Sequence, residues 1–195
     1  MAILLAIGVL IFPDAEELDF VGPFEVLSYI NKVRSESTKV MFIAETSDPV
    51  RANNGMRILP DLSLNDCPQL DILVVPGGRG RLQAMKNPAI LDFIKRQEPQ
   101  ARYITSVCTG SFLLAEAGLL TGKKATTYHE YYDELAAYSV EVVQDKVVPQ
   151  GKIITAGGVS SGIELGFYLL RELFGADISQ QVARKIEYGV DVRSI

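Results

Sequence analysis

Short apolar runs alternate with longer stretches of helical spacing along this chain, and that alternation is the strongest constraint on its fold. Ala2–Phe12, Lys39–Ala44, Asp71–Val75, Tyr103–Val107 and Lys152–Thr155 read as strands. Their apolar character is continuous rather than alternating, which suits a parallel sheet covered on both faces. Between them, Leu18–Val33, Pro88–Gln97, Gly110–Leu119, Tyr131–Ala137 and Gly162–Phe174 carry apolar residues at helical spacing. Such βαβ units imply a flavodoxin-like α/β fold, a doubly wound and mostly parallel sheet sandwiched by helices. Two segments break the pattern. Val50–Leu64 contains Asn53-Asn54-Gly55 and Val140–Lys152 contains Pro149-Gln150-Gly151, and both suggest antiparallel hairpins added to the main sheet. No linker, repeat or low-complexity tract divides the chain, so residues 1–195 read as one domain with room for a core that needs no staples.

Charge and cysteine content narrow the function. With 19 Lys and Arg against 24 Asp and Glu the net charge is −5, and no basic cluster interleaves with aromatics. That argues against nucleic acid as a direct partner. Cys67 and Cys108 form no disulfide framework and suit a reducing cytoplasm. The apolar segment Met1–Phe12 lacks a basic leading region and a small-residue cleavage site, and it is too short to span a bilayer. It reads as a buried first strand of a soluble protein with no membrane partner.

In an open α/β sheet, ligands bind outside the carboxyl ends of the strands. Four segments should meet there: Pro13–Pro23 after the first strand, Val75-Pro76-Gly77-Gly78-Arg79-Gly80, Cys108-Thr109, and Ala156–Gly162. Cys108 stands where a β-branched run hands over to a helix. The positive end of a helix dipole there favours thiolate, the nucleophilic form. The spacing Cys-x-Gly-x-x-x-x-Ala lets the helix begin at once, with Gly110 avoiding a clash in the turn. Gly77-Gly78 reads either as a plain tight turn or as the source of a backbone N–H that pairs with that of Thr109 in an oxyanion-hole-like site. It is neither a Walker loop nor a full dinucleotide fingerprint, so nucleotide binding is set aside.

Asp19 lies within the apolar Leu18-Asp19-Phe20-Val21, where a carboxylate is costly to bury; it is a helix cap or a catalytic acid/base. Glu16 and Glu17 read as solvated first-turn acids. His129 is the only histidine, too few for a metal site, and Cys67 falls in a loop with no assigned role.

These motifs resemble the DJ-1/PfpI superfamily, and within it the isonitrile hydratase branch. The resemblance rests on Phe12-Pro13, Leu18–Leu27, Val75–Gly80, Ala101–Ser111, Ala117–Thr127 and Gly157-Gly158 with the helix after it, and so covers nearly the whole chain. Many members carry a glutamate facing the cysteine; here the matching position is Asp19, as in the hydratases. Thr109 follows the cysteine where PfpI-like proteases have histidine. Hydratase-like sequences tend to read histidine then tryptophan where this chain has Tyr128-His129, so His129 is left out of the site.

The resemblance implies a cysteine-dependent hydro-lyase with no cofactor or metal, acting on a small-molecule substrate as a homodimer. Cys108 would attack the terminal carbon of an isonitrile to give a thioimidate. Asp19 would supply a proton and then help activate water. The N–H groups of Gly78 and Thr109 would steady developing charge, with Gly77, Gly78, Phe20 and Val159 around the substrate. A glyoxalase or deglycase acting on 2-oxoaldehydes, or a non-enzymatic redox- or ligand-sensing module built on Cys108, are the competing expectations.

Overall fold

Seven strands form the central sheet of the computed structural model, which describes residues 4–195. In chain order they are β1 (Leu5–Leu10), β2 (Thr38–Ala44), β5 (Leu62–Ser63), β6 (Ile72–Val75), β7 (Tyr103–Val107), β10 (Val147–Gln150) and β11 (Ile153–Ala156). The spatial order is β10-β11-β7-β6-β1-β2-β5, with every neighbour parallel except β10 against β11. The expected first strand begins at Ala2, outside the described residues, and its described part ends at Leu10. β6 is buried at every residue, as are Ile7, Val9 and Leu10 of β1, which is why these strands read as unbroken apolar runs.

The chain builds outward from β1 through β2 to β5, then restarts on the other side of β1 with β6, β7 and β11. The reversal falls between β1 and β6, and the crevice beyond their carboxyl ends is where such a sheet takes its ligands. Helices α1 (Glu17–Tyr29) and α6 (Ser161–Phe174) pack together on one face of the sheet. On the other, α2 (Arg81–Ala84), α3 (Pro88–Gln97) and α4 (Ser111–Glu116) cluster. Gly166 sits so near Val26 that a β-carbon would press into it, so the α1–α6 contact depends on small residues. Among the described residues no helix is long and apolar enough to cross a membrane.

Several elements differ from expectation. β3 (Val50–Arg51) and β4 (Arg57–Ile58) do form an antiparallel hairpin, but as a separate two-stranded ribbon. Only β5, past that hairpin, joins the main sheet, and it does so in parallel. The second hairpin is β10 turning into β11, while β9 (Glu141–Val142) pairs in parallel with β8 (Lys124–Ala125) in another small sheet. The helix α1 runs straight through Gly22-Pro23. Proline lacks only the N–H that would reach back one turn, and burial of Phe20, Pro23, Val26 and Leu27 holds the rest. A short turn of 3-10 helix, His129–Tyr131, precedes α5 (Tyr132–Ala136). The sequence reading missed α7 (Ala176–Lys185), although Ile178 and Val182, with Ile186 just past its end, form an apolar stripe at helical spacing.

Candidate active site

Cys108 enters the site in a left-handed conformation, φ +56, directly after β7. A side chain is strained there, and the conformation persists because its surroundings over-determine it. The Cys108 N–H donates to the Gly157 carbonyl at 2.9 Å, and its own carbonyl accepts from the hydroxyls of Thr127 at 3.0 Å and Ser111 at 3.3 Å. Residues 108–110 then make one 3-10 turn before the six residues of α4. Gly110 is needed for a specific reason: a β-carbon there would collide with the carbonyl oxygens of Val75 and Pro76 at the end of β6. Gly110→Ala therefore forces two strand ends apart. An equilibrium denaturation curve should show a loss of about 1–3 kcal/mol, the usual cost of overpacking against unyielding atoms.

Asp19 lies in the first turn of α1, yet it neither caps the helix, whose N-cap is Glu16, nor meets solvent. It is 0% exposed, and its Oδ2 accepts the Gly77 N–H at 2.9 Å. The Gly77 carbonyl in turn accepts the N–H of Glu16 at 3.0 Å, so this peptide is bolted to the start of α1 on both sides. Asp19 Oδ1 has no hydrogen-bond partner within the protein. Burial pushes the Asp19 carboxyl up to about 8, with the Glu16 charge adding to it and the Gly77 N–H and the Cys108 thiol opposing it. At neutral pH the carboxyl is mainly protonated and is a buried acid beside the cysteine.

The thiol differs from the expected thiolate. Burial, then the Asp19 charge, push Cys108 up to about 12, while the N–H groups of Thr109 and Val159 and the Thr109 hydroxyl pull it down. With only 6% of the residue exposed and a single turn of 3-10 helix behind it, desolvation outweighs the helix terminus. The resting pair is a thiol and a carboxylic acid.

Cys108 and Thr109 open onto a cavity of about 240 Å3, which Gly78 and Val159 also line. The Gly78 N–H is engaged by Thr109 Oγ1 at 3.1 Å, so this donor serves the turn rather than standing free. Gly77 faces Asp19 instead of the cavity. Phe20 is wholly buried, edge-on to Phe42 of β2 at 5.8 Å between ring centres, and lines no part of it. His129 lines a neighbouring cavity with Leu18, Tyr132 and Lys146. Cys67 is buried in its loop, its thiol pushed up to about 11 by that burial.

The remaining walls are residues to which the sequence reading gave no role in the site: Glu16, Asn53, Arg79, Arg81, Tyr128 and Tyr131. Arg81 is 5% exposed, lies 4.1 Å from the Phe112 ring centre and 4.6 Å from that of Tyr131, and pairs through both Nη atoms with Glu134 of α5 at 3.0 Å. A buried arginine engaged on two rings and one carboxylate fixes the tyrosine wall to the glycine turn. Glu16 and Glu17 are half-buried rather than solvated. They accept the side-chain amides of Asn53 and Asn54 and the backbone N–H of Asn54, and so hold the tip of the β3–β4 hairpin over the site. A hairpin tip reaching a helix start across the fold leaves no local signal in the sequence.

A family model described as the DJ-1/PfpI family matches residues 6–172. An isonitrile hydratase of Pseudomonas putida is 42% identical over 184 residues, spanning 94% of this chain and 78% of the relative. A glutathione-independent glyoxalase of Caenorhabditis elegans is 25% identical across 89% of this chain and 90% of its own length. The crystal structure of a ThiJ/PfpI family protein from Pseudomonas syringae superposes with a TM-score of 0.89 at 32% identity, over 97% of this chain and 77% of that one.

Proposed function

Because this chain belongs to the DJ-1/PfpI family, we propose that it is a cysteine-dependent hydro-lyase adding water to a small isonitrile to give an N-substituted formamide. The observation that carries this reading is Asp19, a buried carboxyl protonated at neutral pH, set beside the Cys108 thiol and with one oxygen unpartnered. A terminal isonitrile carbon bears a lone pair and must gain both a proton and a nucleophile. A thiol beside an acid suits that addition better than an isolated thiolate does.

The Cys108 sulfur forms a bond to the terminal carbon while Asp19 gives that carbon its proton and takes the proton of the thiol. The product is a thioimidate, R–N=CH–S. Water then adds to the same carbon and a proton reaches nitrogen. The C–S bond breaks, sulfur leaves as the thiol, and R–NH–CHO departs. The N–H groups of Thr109 and Val159 face the sulfur and stabilise charge as it develops there. Thr109 adds its hydroxyl on the same side.

The glyoxalase among the relatives makes a 2-oxoaldehyde the natural competitor. Parallel turnover assays with a simple alkyl isonitrile and with methylglyoxal, followed by formamide and lactate production, separate the two. The expected result is formamide formation at a kcat/KM at least about a hundredfold above that for methylglyoxal, within the ordinary span of enzyme discrimination. Lactate as the faster product would replace this reading with the glyoxalase one.

A further inference from the structure

Charged groups around the Cys108 cavity are almost all spoken for. Arg81 spends both Nη atoms on Glu134. Glu16 turns its two oxygens to the amides of Asn53 and Asn54, each at 3.1 Å. Arg79 is different. Its Nε donates to Asn53 Oδ1 at 3.0 Å, and among the described residues its guanidinium makes no ion pair, although Asp14, Glu16 and Glu45 line the same two cavities.

The arginine is exposed yet held in place. Asn53, which receives its Nε–H, is fixed by its own N–H to the Ala15 carbonyl at 2.9 Å and by its side-chain amide to Glu16. Hydrogen bonds thus run from the start of α1 through the hairpin tip to Arg79, and the Nη side of the guanidinium is left with its donors unspent. A guanidinium restrained at Nε presents a planar fork, the geometry that binds a carboxylate through two parallel hydrogen bonds. The cavity it shares with Cys108 has about 240 Å3, room for about eight waters, so one small molecule can meet both groups.

We infer that the molecule processed at Cys108 carries a carboxylate at the end remote from its reactive carbon, and that Arg79 binds it. The anionic end is an inference from Arg79 and its restraints; the isonitrile at the other end rests on the function proposed above.

The test compares 4-isocyanobutanoate with its methyl ester, in the wild type and in Arg79→Gln. The wild type should favour the acid by about tenfold or more in kcat/KM, mainly through KM, and Arg79→Gln should abolish that preference. Arg79→Lys, which keeps the charge and loses the fork, should restore part of it. Equal kcat/KM for acid and ester in the wild type, or a preference unchanged in Arg79→Gln, overturns the inference. A second measurement is independent of isonitrile chemistry. Alkylation of Cys108 by 4-iodobutanoate and by 4-iodobutanamide, which differ only at the end remote from the reactive carbon, is followed by peptide mass, and the ratio of the two rates is compared between variants. A ratio that falls several-fold in Arg79→Gln supports the anion site even if neither isonitrile turns over, an outcome that would sink the hydratase reading alone. A ratio that stays constant refutes the anion site.

Discussion

Cys108→Ser is expected to lower formamide production by at least about a thousandfold while leaving the thermal midpoint close to that of the wild type. The size follows from the role: covalent catalysis depends on a sulfur that both attacks and leaves, and a hydroxyl in the same place does neither well without a strong base beside it. Asp19, protonated at neutral pH, is no such base. The fold is expected to survive because serine is close to cysteine in size and the backbone clamps at 108, from Gly157, Thr127 and Ser111, do not use the sulfur. Mass measurement during turnover adds a direct readout, since the wild type should carry the isonitrile mass on the peptide containing Cys108. Full activity in Cys108→Ser, or an adduct on Cys67 in place of Cys108, would eliminate the covalent route through Cys108.

Asp19→Asn should separate catalysis from stability in opposite directions. The amide keeps the shape and can still accept the Gly77 N–H, but it has no proton to give, so kcat should fall by about 10²–10⁴. In the wild type the rate should decline as pH rises through about 8, where the acid is lost, and the variant should lack that limb. Stability falls with rising pH as well. The folded carboxyl titrates near 8 and the unfolded one near 3.8, so between those values folding retains a proton that the unfolded chain releases. Raising the pH across that window therefore weakens the fold, at most by about 1.4 kcal/mol per pH unit. Urea denaturation at pH 5 and pH 9 should show this loss in the wild type and much less of it in Asp19→Asn. A variant with the wild-type pH slope would show that Asp19 is ionised in the folded protein.

The sheet was legible because fully buried parallel strands must be apolar throughout; β6 and β7 emerge with little shift in their bounds. Cys108, Asp19, Thr109, Gly78 and Val159 were placeable because each follows a strand, and strand ends in this topology share one crevice. What stayed hidden depended on distance. The Asn53 tip reaches Glu16 only after the chain has left the sheet and returned, and Arg81 meets Glu134 across the gap between α2 and α5. The protonation of the cysteine could not be read either. A strand–Cys–helix pattern announces a dipole but not the depth of burial, and burial decides the charge.

The left-handed backbone at Cys108 has a consequence for how such a position is kept. Glycine would adopt φ +56 without the crowding that a β-carbon meets there. On backbone conformation alone, residue 108 favours a hydrogen over a mercaptomethyl side chain. The backbone geometry therefore gives no reason for a cysteine at residue 108, and under the proposed mechanism the sulfur is there for what it reacts with.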